Sequence, residues 1–193
     1  MLAPQHPLDS LLSRQSAGAL AEPAPSGADL DLILDAGLRA PDHGRLRPWR
    51  FVLIRGDARA AFGDCLAQAV KARDRQASQA QIDRPRAWAL RTPLLIGLGT
   101  QIRPGHPVPE IEQLLSAGAA AMNMLNAIHM LGYGGMWVTG ANTYDARVNA
   151  ALGFQAPSRL VGFLAVGTPK TTTPAERPER RAHVVEWTGP HIP

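Results

Sequence analysis

The sequence predicts an α+β domain rather than a doubly wound parallel sheet. Helix-period and strand-like apolar runs follow one another in mixed rather than strict alternation. The segment Gly97-Leu98-Gly99 sits at a strand but lacks a third glycine and a following helix, so it fails as a dinucleotide-binding fingerprint. The chain has 193 residues, 45% of them hydrophobic, enough for one ordinary domain with a real core.

The elements read in order as follows. Residues 1–7 are expected to be loose, and a short helix covers about 8–12. Ser26 is placed to cap a helix over 27–39, with Leu30, Ile33, Leu34 and Leu38 on one face. A strand over 50–54 leads to a helix over 57–76. Residues 77–91 are polar and rich in Gln, Arg and Asp, and read as a long loop, which inside a domain is often functional or mobile. The apolar run 93–100 does not alternate and predicts a strand buried on both faces. Residues 110–131 form the longest helix, whose middle, Ser116 to Ala121, is unusually small and suits close packing in a core or against a second subunit. A short strand over 136–139, a short helix over 145–152 and a strong strand over 160–166 complete the domain. From Lys170 the chain is rich in Thr, Pro, Arg and Glu, with one late apolar patch at Val184, Val185 and Trp187. Such a tail builds no core of its own; it is either a disordered extension or an arm that docks on a partner.

Composition excludes several classes. Twenty Lys+Arg against sixteen Asp+Glu give a net charge of +4, most of the cations being arginine. That suits phosphate-bearing small molecules, and no basic helix or aromatic–basic repeat suggests nucleic acid. Cys65 is the sole cysteine, so neither an intramolecular disulfide nor a cysteine metal site is possible; among Phe62, Leu66 and Val70 it reads as a buried, inert thiol. Six histidines without an H-x-x-x-H pair give no support for a metal site. The stretch 114–131 is interrupted by Asn123, Asn126 and His129, against a membrane span, and the N-terminus does not resemble a signal peptide. A cytoplasmic protein is expected.

The most informative stretch is the turn from Arg39 to Phe51. Pro41 and Pro48 each bias the preceding residue away from the helical region, which gives the turn a fixed shape. Four arginines and His43 within it suit an anion, and Trp49 offers a flat apolar wall. A phosphorylated planar cofactor would use both features; a solvated basic loop with a half-buried tryptophan would look the same.

Four elements, in order, carry a resemblance. The turn Arg39-Ala40-Pro41 … Pro48-Trp49-Arg50-Phe51 is similar to R-(S/A)-P … P-W-x-F. Arg14-Gln15-Ser16 follows the first helix as R-R-S does. Gly132-Tyr133-Gly134-Gly135 precedes Met136-Trp137-Val138-Thr139-Gly140, and the strand 160–169 resembles V-G-F-x-x-x-G-x-P. Together they resemble the nitroreductase family, and in particular a short-chain subgroup that also carries R-A-P-D-H. The resemblance implies a three-layer fold, a mostly antiparallel central sheet flanked by helices, in an intertwined homodimer. It implies one FMN-binding domain over 1–169, with residues 170–193 as a C-terminal tail, and it favours the reading of that tail as an arm onto the partner subunit. FMN is the implied bound cofactor, NAD(P)H the reductant, and an electron-poor small molecule such as a nitroaromatic or quinone the acceptor.

The same resemblance implies the site. Arg14, Gln15 and Ser16 come from one subunit to FMN held by the other, Arg39 and His43 are FMN contacts, and Trp137, Val138 and Thr139 form the third FMN segment across the interface. The helix end Ala127, Ile128, His129, Met130, Leu131 and Gly132 matches the segment that meets the nicotinamide cofactor. Each position also has a plain structural reading: core for Trp137, an ordinary strand residue for Thr139, a loop hydrogen bonder for His43. No side-chain catalyst is required, because the flavin carries the chemistry. Gln15, Arg45, Arg47 and Val138 depart from the family pattern, which puts acceptor preference in question. A specialised biosynthetic or oxygen-using flavoenzyme, or a flavin-binding protein without turnover, are the alternatives.

Overall fold

A single antiparallel sheet with a different set of helices on each face organises the chain, as seen in a computed structural model that describes residues 6, 8–171 and 176–189. The elements are α1 (Asp9–Ser13), β1 (Leu20–Ala21), α2 (Gly27–Gly37), a 3-10 turn (His43–Arg45), β2 (Trp49–Arg55), α3 (Ala58–Arg73), α4 (Gln79–Arg91), β3 (Leu94–Thr100), α5 (Glu110–Met130), β4 (Gly134–Val138), α6 (Ala146–Ala151), β5 (Arg159–Pro169) and a second 3-10 turn (Arg180–Ala182). β5 pairs with β3, β4 and β1, and β2 pairs with β3; all these ladders are antiparallel. Apart from His6, the loose segment expected over residues 1–7 lies outside the described residues.

Strand alternation builds the three layers. On β3, Leu94, Ile96 and Leu98 pack toward Leu30 and Ile33 of α2 and Ala121, Met124, Leu125 and Ile128 of α5. Leu95 points the other way, into a cluster with Phe62, Leu66 and Ala69 of α3, Ala89 of α4 and Val148 of α6. Both faces are covered, which is why the run does not alternate in polarity. β5 carries a bulge: Leu98 pairs with Gly162 but Gly99 pairs with Leu160, so Val161 is skipped. The skipped residue shifts the parity of the strand and brings Leu160, Phe163 and Ala165 onto the same face.

Two glycines explain themselves by close approach. A Cβ on Gly99 would stand 1.8 Å from the ring of Phe154. Gly99, one of the two glycines that failed as a nucleotide fingerprint, thus makes room for core packing. Gly162 has φ +150°, and a Cβ there would stand 2.1 Å from Trp137 Nε1, so the indole lies directly on the β5 backbone.

The structure corrects four sequence expectations. Residues 77–91 are no loop: Ser78 and Gln81 form a capping box that starts the thirteen-residue α4, and Ile82 and Ala89 bury its inner face. Ser26 takes the extended conformation before α2, but its side chain makes no capping hydrogen bond. Cys65 is half-buried rather than buried, and desolvation, followed by the nearby Asp145 charge, raises its thiol pKa. β4 also begins two residues earlier than expected, at Gly134, and leaves Thr139 outside the strand. Among the described residues no helix is long and apolar enough to cross a membrane.

Candidate functional site

Helix α5 is the frame on which the expected site residues are distributed. Near its N-terminal end, His43 Nδ1 lies 2.6 Å from Glu112 Oε2. One turn further on, Trp49 Nε1 donates to Ser116 Oγ at 2.9 Å, and Ser116 Oγ donates to the Pro41 carbonyl at 2.8 Å. The Arg39–Phe51 turn is therefore tied to α5 through side chains. Trp49 is 8% exposed and acts as the anchor of this turn, a correction to the flat wall it suggested in sequence. Arg39 is exposed. Arg45 and Arg47 have φ of +55° and +48°, conformations rare outside glycine, and the Arg47 N–H donates to Asp42 Oδ2 at 2.6 Å. Such local strain is often found where a backbone is shaped for a ligand.

At the far end of α5, the Arg14-Gln15-Ser16 loop meets the helix terminus. Ser13 Oγ lies 3.0 Å from His129 Nε2. Gln15, Ser16, His129 and Tyr133 line a small depression of about 160 Å³. Desolvation, and then the positive charge of Arg14, holds the His129 pKa below its ordinary value. The Arg14 carbonyl accepts a hydrogen bond from Arg177, so the tail touches this loop. Of the other residues at this helix end, Ile128 is fully buried, Ala127 and Leu131 are half-buried, and Met130 and Gly132 are exposed.

The structure thus brings Arg14, Gln15 and Ser16 to His129 and His43 to Glu112, and leaves Arg39 beside the middle of α5, next to Ala40, which packs on Ala120. Glu112 and His129 are roughly 25 Å apart along a helix rising 1.5 Å per residue. Neither Arg14 nor Arg39 has a carboxylate in salt-bridge range among the described residues. The segment 137–139 is divided as well. Trp137 lies over Gly162 and near Gly118 of α5, whereas Val138 and Thr139 line a cavity of about 510 Å³ on the α3–α4 side.

That cavity contains residues that sequence reading missed. Arg73, Arg84, Trp88 and Arg91 contribute to its wall, with Asn142 from the loop after β4. Arg73 donates to Asp145 Oδ2 and Asn142 Oδ1, both at 2.6 Å. Burial alone would raise the Asp145 pKa, but the hydrogen bonds from Arg73 and the Arg147 backbone outweigh it and hold the carboxyl below its ordinary value. The signal that could have found this wall was the capping pair Ser78/Gln81, because a helix starting there puts residues 84, 88 and 91 on one face. A larger cavity of about 710 Å³, lined by Leu114, Tyr144, Phe154 and Leu160, contains none of the expected residues. No group of residues able to hold a metal ion occurs among the described residues.

Comparisons with known proteins agree with this architecture. A family model described as "Nitroreductase family" matches residues 12–168. The chain is 42% identical over 163 residues to the Escherichia coli (strain K12) protein named "Putative NAD(P)H nitroreductase YdjA", covering 84% of this chain and 88% of that one. It is 29% identical over 180 residues to a Haemophilus influenzae protein of similar name, covering 93% and 94%. Among solved structures, a nitroreductase-like family protein from Bacillus cereus superposes with a TM-score of 0.83 at 19% identity, covering 98% of this chain and all of that one. A Desulfovibrio desulfuricans protein described as "a putative nitroreductase in complex with fmn" superposes with a TM-score of 0.74 at 24% identity, covering 97% and 100%.

Proposed function

Because the chain belongs to the nitroreductase family, we propose that residues 1–169 form one FMN-binding domain that works as a homodimeric NAD(P)H oxidoreductase. Its acceptor is a small electron-poor molecule, such as a nitroaromatic or a quinone. The observation that carries this reading is the separation of two cationic groups along α5. Arg14 with Ser16 stands at one end and His43 at the other, with Arg39 between them, flanked by Ala36 and Ala40, which meet Asn123 and Ala120 in the middle of α5. One chain cannot bring both to one ligand, whereas a second copy running antiparallel along the same helix face would pair the ends. That face is prepared for contact: Ile111, Leu115, Met122 and Met130 of α5 are 60%, 64%, 40% and 55% exposed. Uncovered apolar side chains spaced along one helix mark an interaction surface.

The donor set fits FMN. A phosphate needs a cationic fork and a hydroxyl, which Arg14, Arg39 and Ser16 supply without a competing carboxylate among the described residues. Gln15, in place of a second arginine, adds an amide. His43, Trp137, Val138 and Thr139 complete the flavin contacts, and residues 127–132 receive the nicotinamide cofactor through His129, Met130 and the backbone of the helix end. When bound, the flavin supplies the two-electron chemistry, accepting a hydride from NAD(P)H and passing two electrons to the acceptor. The protein's share is to hold, orient and shield the reactants.

The test is the absorbance spectrum of the purified protein. The expected result is a yellow protein with about one FMN per subunit, bleached by anaerobic NAD(P)H and restored by an acceptor. A colourless protein that takes up no added FMN overturns the reading. Arg39→Ala should weaken FMN binding by about 1.5–3 kcal/mol, the range for a lost hydrogen bond to a charged group, with the apo fold unchanged. Titration followed by flavin fluorescence measures this.

A further inference from the structure

Within the Arg39–Phe51 turn the backbone enters the left-handed region three times in four residues: Gly44, Arg45 and Arg47 have φ of +70°, +55° and +48°. Glycine takes this conformation without cost, whereas an arginine does not. Several contacts hold the two arginines there. Leu46, between them, is buried. Its carbonyl accepts from Arg103 Nη2 at 3.4 Å, and the Arg47 carbonyl accepts from Arg50 Nη1 at 3.0 Å. The Arg47 N–H donates to Asp42 Oδ2. Arg45 and Arg47 are therefore both exposed, on either side of a buried leucine. Solubility alone would need no such conformation. Strained residues held in place by their surroundings mark a backbone shaped for a ligand.

The charges of this turn are unequally compensated. Arg50 is occupied by the Arg47 and Trp49 carbonyls, and His43 pairs with Glu112. Neither Arg45 nor Arg47 has a carboxylate in salt-bridge range among the described residues. Arg47 lines a depression of about 410 Å³ together with Leu38, Trp49 and Arg50. Two guanidinium forks beside a concave surface with apolar walls suit a planar base whose neighbouring substituent is a dianion.

The turn stands on the α5 side of the sheet, since Trp49 donates to Ser116 of α5. Arg45 closes the 3-10 turn that His43, assigned above to the flavin, opens. Asp42, which holds the Arg47 N–H, directly precedes His43. In the antiparallel pairing of the proposed dimer, this end of α5 meets the helix end 127–132 of the second copy, the segment assigned to the nicotinamide cofactor.

We propose that Arg45 and Arg47 bind the 2′-phosphate of NADPH, with the adenine ring in the depression beside them, and so make NADPH the preferred reductant over NADH. NADH lacks only this phosphate, and an arginine is a common means of accommodating it. The proposal rests on the flavoenzyme reading above. An anionic acceptor carries the same kind of charge, so the test separates the two sources.

The flavin-loaded wild type and an Arg45→Gln/Arg47→Gln double variant are compared by anaerobic bleaching with NADPH and with NADH. The NADPH concentration for half-maximal rate should rise by at least about tenfold, the scale of one lost charge-assisted hydrogen bond. The NADH concentration should stay the same, which also shows that the turn keeps its shape. Equal effects on both dinucleotides, or none, overturn the proposal. So does an effect confined to reoxidation by 4-nitrobenzoate and absent with uncharged 4-nitrobenzyl alcohol, which assigns the arginines to the acceptor. Calorimetric titration with 2′,5′-ADP and with 5′-AMP needs no turnover and distinguishes the two readings. Wild type should bind 2′,5′-ADP at least about tenfold more tightly than 5′-AMP, and the variant should bind both alike. An arginine-dependent preference for 2′,5′-ADP in a protein that takes up no FMN would leave this site standing and remove the flavoenzyme. Equal binding of the two nucleotides to wild type in an active flavoenzyme would remove this site alone.

Discussion

Helices α4 and α5 cover opposite faces of the same sheet, and what each leaves uncovered differs. α5 buries Ala117, Ala120, Ala121, Met124 and Ile128 inward and leaves Ile111, Leu115, Met122 and Met130 outward. It is apolar on both sides, the pattern of a helix buried all round. α4 buries Ile82 and Ala89 and turns Arg84 and Arg91 outward around Trp88. An apolar outer face gains free energy by meeting another apolar surface, whereas a guanidinium loses hydration unless it meets an anion. One face therefore offers an apolar surface to the second chain of the proposed dimer, and the other carries two arginines without a carboxylate partner among the described residues.

The largest effect should come from breaking the α5 face. Leu115→Arg would bury an unpaired cation in the contact between chains and should weaken self-association by at least roughly 100-fold. Sedimentation velocity at micromolar concentration should show monomer, and bound FMN should be lost with the dimer. A variant that stays dimeric and yellow would break the comparison on this side.

A smaller effect is expected from loosening the wall of the α4 cavity. Asp145 is buried, bonded to Arg73, and caps α6 by accepting from the Arg147 N–H. Asp145→Asn should cost about 2 kcal/mol at neutral pH, within the range for hydrogen bonds to charged groups. Because the folded state depresses the carboxyl pKa, its contribution is fully present above the unfolded value near ~3.9 and is lost as pH falls through the lower folded value. The gap between wild type and variant should narrow under acid conditions. Urea unfolding at neutral and acid pH measures this, and a gap independent of pH would remove the charge from the explanation.

The smallest effect tests why α4 exists. Ser78→Ala removes the hydroxyl of the capping box and should cost about 1 kcal/mol, read as a shift in the urea midpoint. No change would mean that α4 is held by packing on α3 alone.

The sequence by itself determined what depends on local pattern. Apolar periodicity located α2, α3, α5, β2, β3 and β5 to within a few residues, and the turn chemistry of Pro41 and Pro48 placed the cationic turn between helix and strand. α4 has the composition of a loop, polar and with an internal Pro85, and only one capping pair and two buried residues mark it as a helix. The motif residues were all legible as motifs, yet their grouping was not. Only the tertiary structure decided that Arg14 meets His129 while His43 lies at the other end of α5, because helix length and sheet register, not motif order, set distance. Only it decided that Trp137 and Val138 point to opposite faces of β4, and that Arg73 pairs with Asp145 while Arg84 and Arg91 pair with no carboxylate among the described residues. Those are properties of long-range neighbours. A residue's own type states which charge or surface it carries; the fold states what stands opposite it.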